Sequence, residues 1–148
     1  MMRPKYLATA CLALALAPGL NVQAQDDPPD TALRGIMQQL GEDMQAVTGA
    51  ISEEDWARVV QLAPRIGKHE EPPVGEKMRI LGWLGTDARQ FRAMDGDVGK
   101  AAAKLQQAAE QDDGQAVIAA FAQVQQSCLA CHQSFRQPFV QQFYGQRP

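Results

Sequence analysis

The chain has 148 residues, with 14 Lys and Arg against 17 Asp and Glu, a net charge of −3 with histidine neutral. That length accommodates one domain. The acidic balance argues against nucleic-acid binding, which needs clustered Lys and Arg, and favours a basic surface on any protein partner.

Residues 1–24 read as a cleaved signal peptide. Arg3 and Lys5 precede an apolar stretch from Tyr6 to Ala17, the breakers Pro18 and Gly19 follow, and Val22-Gln23-Ala24 fits a small-residue cleavage site. The stretch is too short for a permanent membrane helix. Almost nothing apolar precedes Cys11, so a lipoprotein reading does not fit. Cleavage removes Cys11, leaves Cys128 and Cys131 as the only thiols, and makes the chain two charges more negative. No later run is apolar enough to cross a bilayer, so the mature chain is expected to stay out of the membrane.

Residues 25–30 form a polar lead-in, with Asp30 as the expected cap of a first helix. Leu33, Ile36, Met37, Leu40, Met44, Val47 and Ile51 then recur every three or four residues and predict one helix face. Ser52 is the expected cap of a second helix, striped by Trp56, Val59, Val60, Ala63 and Ile66 and kinked or ended by Pro64. The charged run from Gly67 to Gly75, with Pro72-Pro73 inside it, reads as a loop. Helical spacing resumes through Leu81, Leu84, Ala88, Phe91, Val98, Ala102, Leu105 and Ala109. Four glycines interrupt this stretch, and a break is expected near Asp95-Gly96. Gly82 and Gly85 could alternatively allow close packing against a flat ring. Asp112-Asp113-Gly114 marks a turn. A last helix carries Val117, Phe121, Val124, Cys128, Cys131, His132, Phe135 and Phe139, bends near Pro138, and leaves residues 145–148 as a tail. No run alternates as a strand does. The expected fold is all-α, an antiparallel four-helix bundle over residues 31–144.

Cys128-Leu129-Ala130-Cys131-His132 is a C-x-x-C-H run, the attachment motif of c-type haem. The two thiols would bind one haem c covalently, and His132 would ligate its iron from one side. Spacings of three and four put all three side chains on one helix face, here the apolar stripe. The same dipeptide pattern occurs in zinc sites, but zinc needs four ligands, and His69 is far away in a charged loop. A thioredoxin-type motif should open a helix after a strand, and there is no strand. A disulfide three residues apart inside a helix constrains little chain. Export also suits the motif, since c-type haem is attached outside the cytoplasm.

The sixth iron position must come from another helix. Met37 and Met44 both lie on the stripe of the first helix, and on pattern either is a ligand or a core methionine. His69 reads better as a solvated histidine. Arg136, one turn after His132, could reach a haem propionate or stand in solvent. Arg34 has a similar, weaker claim. Trp83, Phe91, Phe121 and Phe135 could line a porphyrin, and core packing alone also accounts for them.

Together these features resemble the class II cytochromes c, the cytochrome c prime family, over roughly Thr31 to Phe139. Ser127 to Arg136 looks like the family's C-terminal signature, Ala116 to Val124 like the run before it, and Arg34-Gly35-Ile36-Met37 with Gly41 and Met44 like its distal helix. The resemblance implies Cys128 and Cys131 as thioether residues, His132 as proximal ligand and Met37 at the distal position. It makes Met44 a recurrent methionine that is not a ligand, and puts Arg136 near a propionate. It also implies a periplasmic electron-transfer protein of the low-spin, methionine-ligated branch, with a redox partner protein. The alternative is a high-spin member binding nitric oxide or carbon monoxide at an open distal site. The family often forms a homodimer through its first two helices. The short Gly67–Pro73 connection departs from its usual longer loop and weakens that inference. No acid–base pair stands on the distal helix as a peroxidase would need, so no enzymatic activity is expected.

Overall fold

In the computed structural model, which describes residues 31–145, the helical spacings become five α-helices. These are α1 (Ala32–Ser52), α2 (Trp56–Gly67), α3 (Val74–Leu84), α4 (Ala88–Glu110) and α5 (Gly114–Tyr144), with a 3₁₀ turn at Gly85–Asp87 between α3 and α4. There is no strand among the described residues. Segments α3 and α4 together make one bent arm, so the architecture is the expected all-α four-helix bundle. The signal peptide, the lead-in with Asp30, and residues 146–148 of the tail lie outside the described residues.

Local chemistry places the ends. Thr31 caps α1, its Oγ1 accepting from the Arg34 N–H at 3.2 Å. Asp55, not Ser52, caps α2, accepting from the Arg58 N–H at 2.9 Å. The tight connection through Glu54, at φ 55°, uses up Glu53 to Asp55. Ser52 stays the last residue of α1, with its hydroxyl donating to the Thr48 carbonyl. Asp113 caps α5 through the Ala116 N–H at 3.0 Å. Helix α2 runs past Pro64 to Gly67, and α5 runs past Pro138 to Tyr144. Helix α3 already starts at Val74, inside the stretch expected to be loop.

The break in the third arm is at Gly85, not near Asp95-Gly96. Gly85 takes φ 53° and ψ −119°, a conformation open to a residue without Cβ. Asp95 and Gly96 stay helical. Gly99 serves another purpose, standing against Gly67 where α4 crosses α2. A Cβ built on Gly67 would lie 3.0 Å from the Ala102 Cβ, and one on Gly99 would lie 3.3 Å from the Gly67 carbonyl oxygen. Small residues here let the two helices approach closely.

The core occupies one end of the bundle. Val47 and Ala50 of α1, Val59, Leu62, Ala63 and Ile66 of α2, Val98 to Ala109 of α4, and Val117, Ala120 and Val124 of α5 supply it. Each large side chain buried there contributes about 1.5–3 kcal/mol. Helix α4 packs on both α2 and α5, α1 packs on α2, and α1 barely touches α5. The predicted α1 stripe is therefore realised unevenly. Val47 is buried, Leu33, Ile36 and Leu40 are half-buried, and Met37 is 39% exposed. Asp43 is the first buried residue after Thr31. It is only 4% exposed and pairs with Arg65 of α2 at 2.6 Å.

Candidate functional site

The apolar stripe of α5 continues from the core into the C-x-x-C-H run. Val117 and Val124 are fully buried, Cys128 packs against the core, Cys131 is half-buried and His132 is exposed. Beyond Val124 no α5 side chain is buried. Aromatic contacts hold the rest of the helix. Phe135 meets Phe91 of α4 edge to face at 5.4 Å, and Trp83 of α3 meets Phe139 at 5.8 Å and Phe143 at 5.6 Å. At this end the neighbouring helices bury only Ile80 and Leu84, both from α3.

Both cysteines are free thiols. Burial pushes each thiol's pKa up; at Cys131 the Asp95 carboxylate and Cys128 add to it. Burial also lowers the pKa of His132, and the Arg136 charge one turn on lowers it further. At neutral pH the stripe thus presents two protonated thiols and a neutral imidazole with a free lone pair. These are the groups a covalently held haem requires: two thiols for thioether bonds and a nitrogen donor for iron. They lie on one helix face, with the cysteines half-buried and the histidine exposed, in the part of α5 beyond its last buried residue, Val124. The residues fit the group.

The structure separates the two methionines that patterning left equivalent. Met44 packs on the hydrophobic core, while Met37 is the more exposed of the two, at 39%. Arg136 is exposed on α5, and its charge acts on His132.

His69 is not the solvated histidine expected. Its side chain is 19% exposed, Nε2 lies 3.1 Å from Asp95 Oδ1, and Nδ1 lies 2.9 Å from the Glu70 carbonyl oxygen. Both partners are acceptors, so the two contacts are satisfied together only while the ring is doubly protonated. The hydrogen bond to Asp95 raises the His69 pKa, against the opposing effect of burial. The ring ties the α2–α3 connection to α4, with both of its nitrogens already engaged.

Three groups here were not found from sequence. Glu76 of α3 accepts the backbone N–H of Ala32 through Oε2 and of Leu33 through Oε1, each at 2.9 Å. Asp95 holds His69. The Tyr144 hydroxyl bonds that of Thr31, and the Arg34 guanidinium lies 5.5 Å from the Tyr144 ring centroid. No local pattern marks these residues, because their partners are remote in sequence. Two open grooves between α4 and α5, lined in part by Lys100, Lys104 and Gln123, include neither thiol nor His132. No helix among the described residues is long and apolar enough to cross a membrane.

A family model described as Cytochrome C' matches residues 31–136. No curated protein and no solved structure gives a significant match to the chain.

Proposed function

The chain belongs to the cytochrome c′ family, a family of c-type haem proteins, and from that premise we propose that it is an exported mono-haem electron carrier. Cys128 and Cys131 hold the haem through thioether bonds, His132 is the proximal ligand and Met37 the distal one. Residues 1–24 direct the chain to the periplasm, where such haem is attached. When bound, haem c supplies a one-electron Fe(III)/Fe(II) couple. The protein's own residues do the rest. Helix α5 presents thiols and imidazole on one face, and the neutral His132 offers a lone pair at working pH. Methionine sulfur, a soft donor, favours reduced iron and raises the potential. On this reading the protein passes electrons to a redox partner with a basic docking surface and catalyses no bond change.

The observation that carries this reading is the division of labour on α1. Met44 is engaged in the core, and Met37 is the more exposed methionine on the same helix. One second reading has an observation behind it. The matched family is the one whose high-spin members bind nitric oxide or carbon monoxide, and Met37 is 39% exposed and not part of the buried core. An absorption spectrum of the oxidised protein decides between them. The carrier should show the weak far-red band of methionine-ligated ferric haem, and Met37→Ala should abolish it and open the reduced iron to carbon monoxide. A high-spin wild-type spectrum with rapid carbon monoxide binding would replace the carrier with the gas binder. A denatured protein that fails to stain for haem would end both.

A further inference from the structure

We propose that Glu76 is a positioning residue for the distal helix, setting how closely Met37 can approach the iron; this rests on the reading of Met37 as distal ligand. The N-terminal half of α1 contributes no fully buried apolar side chain; Leu33, Ile36 and Leu40 are only half-buried. Past the Thr31 cap, its first buried side chain is Asp43, and Met37 lies midway between the two. The start of the helix is instead held from outside. Its first free N–H groups, at Ala32 and Leu33, each bond a separate oxygen of Glu76, while Thr31 takes that of Arg34. A carboxylate on two N–H groups at the positive end of a helix dipole is a strong, directional tie.

The tie leads back to the haem-bearing helix. Glu76 is on α3, which is anchored by buried Ile80 and Leu84 and by Trp83 against Phe139 and Phe143 of α5. Cys128, Cys131 and His132 are on that same α5. The start of α1 also meets the end of α5 directly, through Thr31 and Tyr144. Met37 is therefore carried on a span fixed at one end by the core and at the other by Glu76 and Tyr144. Releasing Glu76 frees one end of that span. It leaves Asp43, Val47 and Ala50 packed, so ligation loosens before the bundle does.

The test uses the haem-loaded protein and the variants Glu76→Ala and Glu76→Gln. Three readouts are needed: the far-red methionine band against temperature, the far-UV helix signal against temperature, and the carbon monoxide association rate after reduction. Glu76→Ala should lose the far-red band well below its unfolding midpoint. Its carbon monoxide association should rise roughly tenfold or more, since the variant loses both charge-assisted hydrogen bonds. Glu76→Gln keeps a single carbonyl acceptor and should fall between wild type and Ala, which covers the case of an Ala variant that folds poorly. If both variants bind carbon monoxide within about twofold of wild type and lose the band only on unfolding, Glu76 is structural and the proposal falls. If the wild type has no far-red band, or Met37→Ala keeps it, the distal reading fails first and takes this inference with it. A band lost in Met37→Ala but unchanged in both Glu76 variants overturns the positioning role alone.

Discussion

The ion pair between Asp43 and Arg65 is lopsided, and its two halves should respond differently to mutation. The Asp43 side chain is 6% exposed and that of Arg65 54%. Replacing Arg65 by Met keeps the aliphatic stem but removes the charge at 2.6 Å, leaving a buried carboxylate with only the Gln39 amide at 3.3 Å. A fully buried charge stripped of its partner costs ~3–5 kcal/mol. Water can reach the half-exposed Arg65 position, so the cost here should be about 2 kcal/mol. Asp43→Asn keeps the shape and an acceptor, frees the guanidinium into solvent, and should cost about 1 kcal/mol. The double variant should cost about 1 kcal/mol less than the two singles together, because the stranded charge is gone. Urea unfolding at neutral pH, read as midpoint shifts at constant slope, measures all three. If Asp43→Asn is as costly as Arg65→Met, or the singles simply add, the burial asymmetry does not govern this pair. The pair also matters for the site, because Asp43 is the last buried residue of α1, followed back towards its start, before the stretch that carries Met37.

The His69–Asp95 tie makes part of the stability pH-dependent. Its folded pKa is raised above the ordinary 6.5, so its stabilisation is fully present below about pH 6.5 and lost as pH rises through the raised value. His69→Gln should therefore lie furthest below wild type in acid and converge with it in mild alkali; a gap that widens with pH would contradict the sign. At the α2–α4 crossing, Gly67→Ala forces a Cβ to 3.0 Å from the buried Ala102 Cβ and should destabilise by about 1 kcal/mol or more. Gly49→Ala in α1 meets nothing within 4 Å and should stabilise by up to about 1 kcal/mol through helix propensity. Equal shifts in their thermal midpoints would show that close approach does not explain Gly67.

Much of the fold was legible because helix periodicity is a local property. The stripes through Val47, Val59, Leu105 and Val117 mark the helices and put each of these residues in the core. The helix ends were less so. Ser52 and Asp55 are both good caps, and the turn at Glu54 selects between them. Gly85 and Gly96 are equally glycine, and only the path of the chain selects which one bends. The site divides in the same way. Cys128, Cys131 and His132 are read from spacing on a single helix, whereas helical spacing alone leaves the two methionines alike, and packing engages Met44 in the core.

The C-x-x-C-H run, its place on the last apolar stripe and the all-α character follow from the sequence alone, since each depends on residues within a turn or two of one another. Tertiary structure alone decided that Met44 packs on the core while Met37 is more exposed, that His69 is tied to Asp95, and that Glu76 and Tyr144 hold the start of α1. Those contacts join residues 26, 44 and 113 positions apart. A carboxylate's sequence neighbours cannot say which remote helix end or ring it will meet. That is set by how the helices pack, and here the buried aliphatic core lies at one end of the bundle and the aromatic contacts and Glu76 tie at the other.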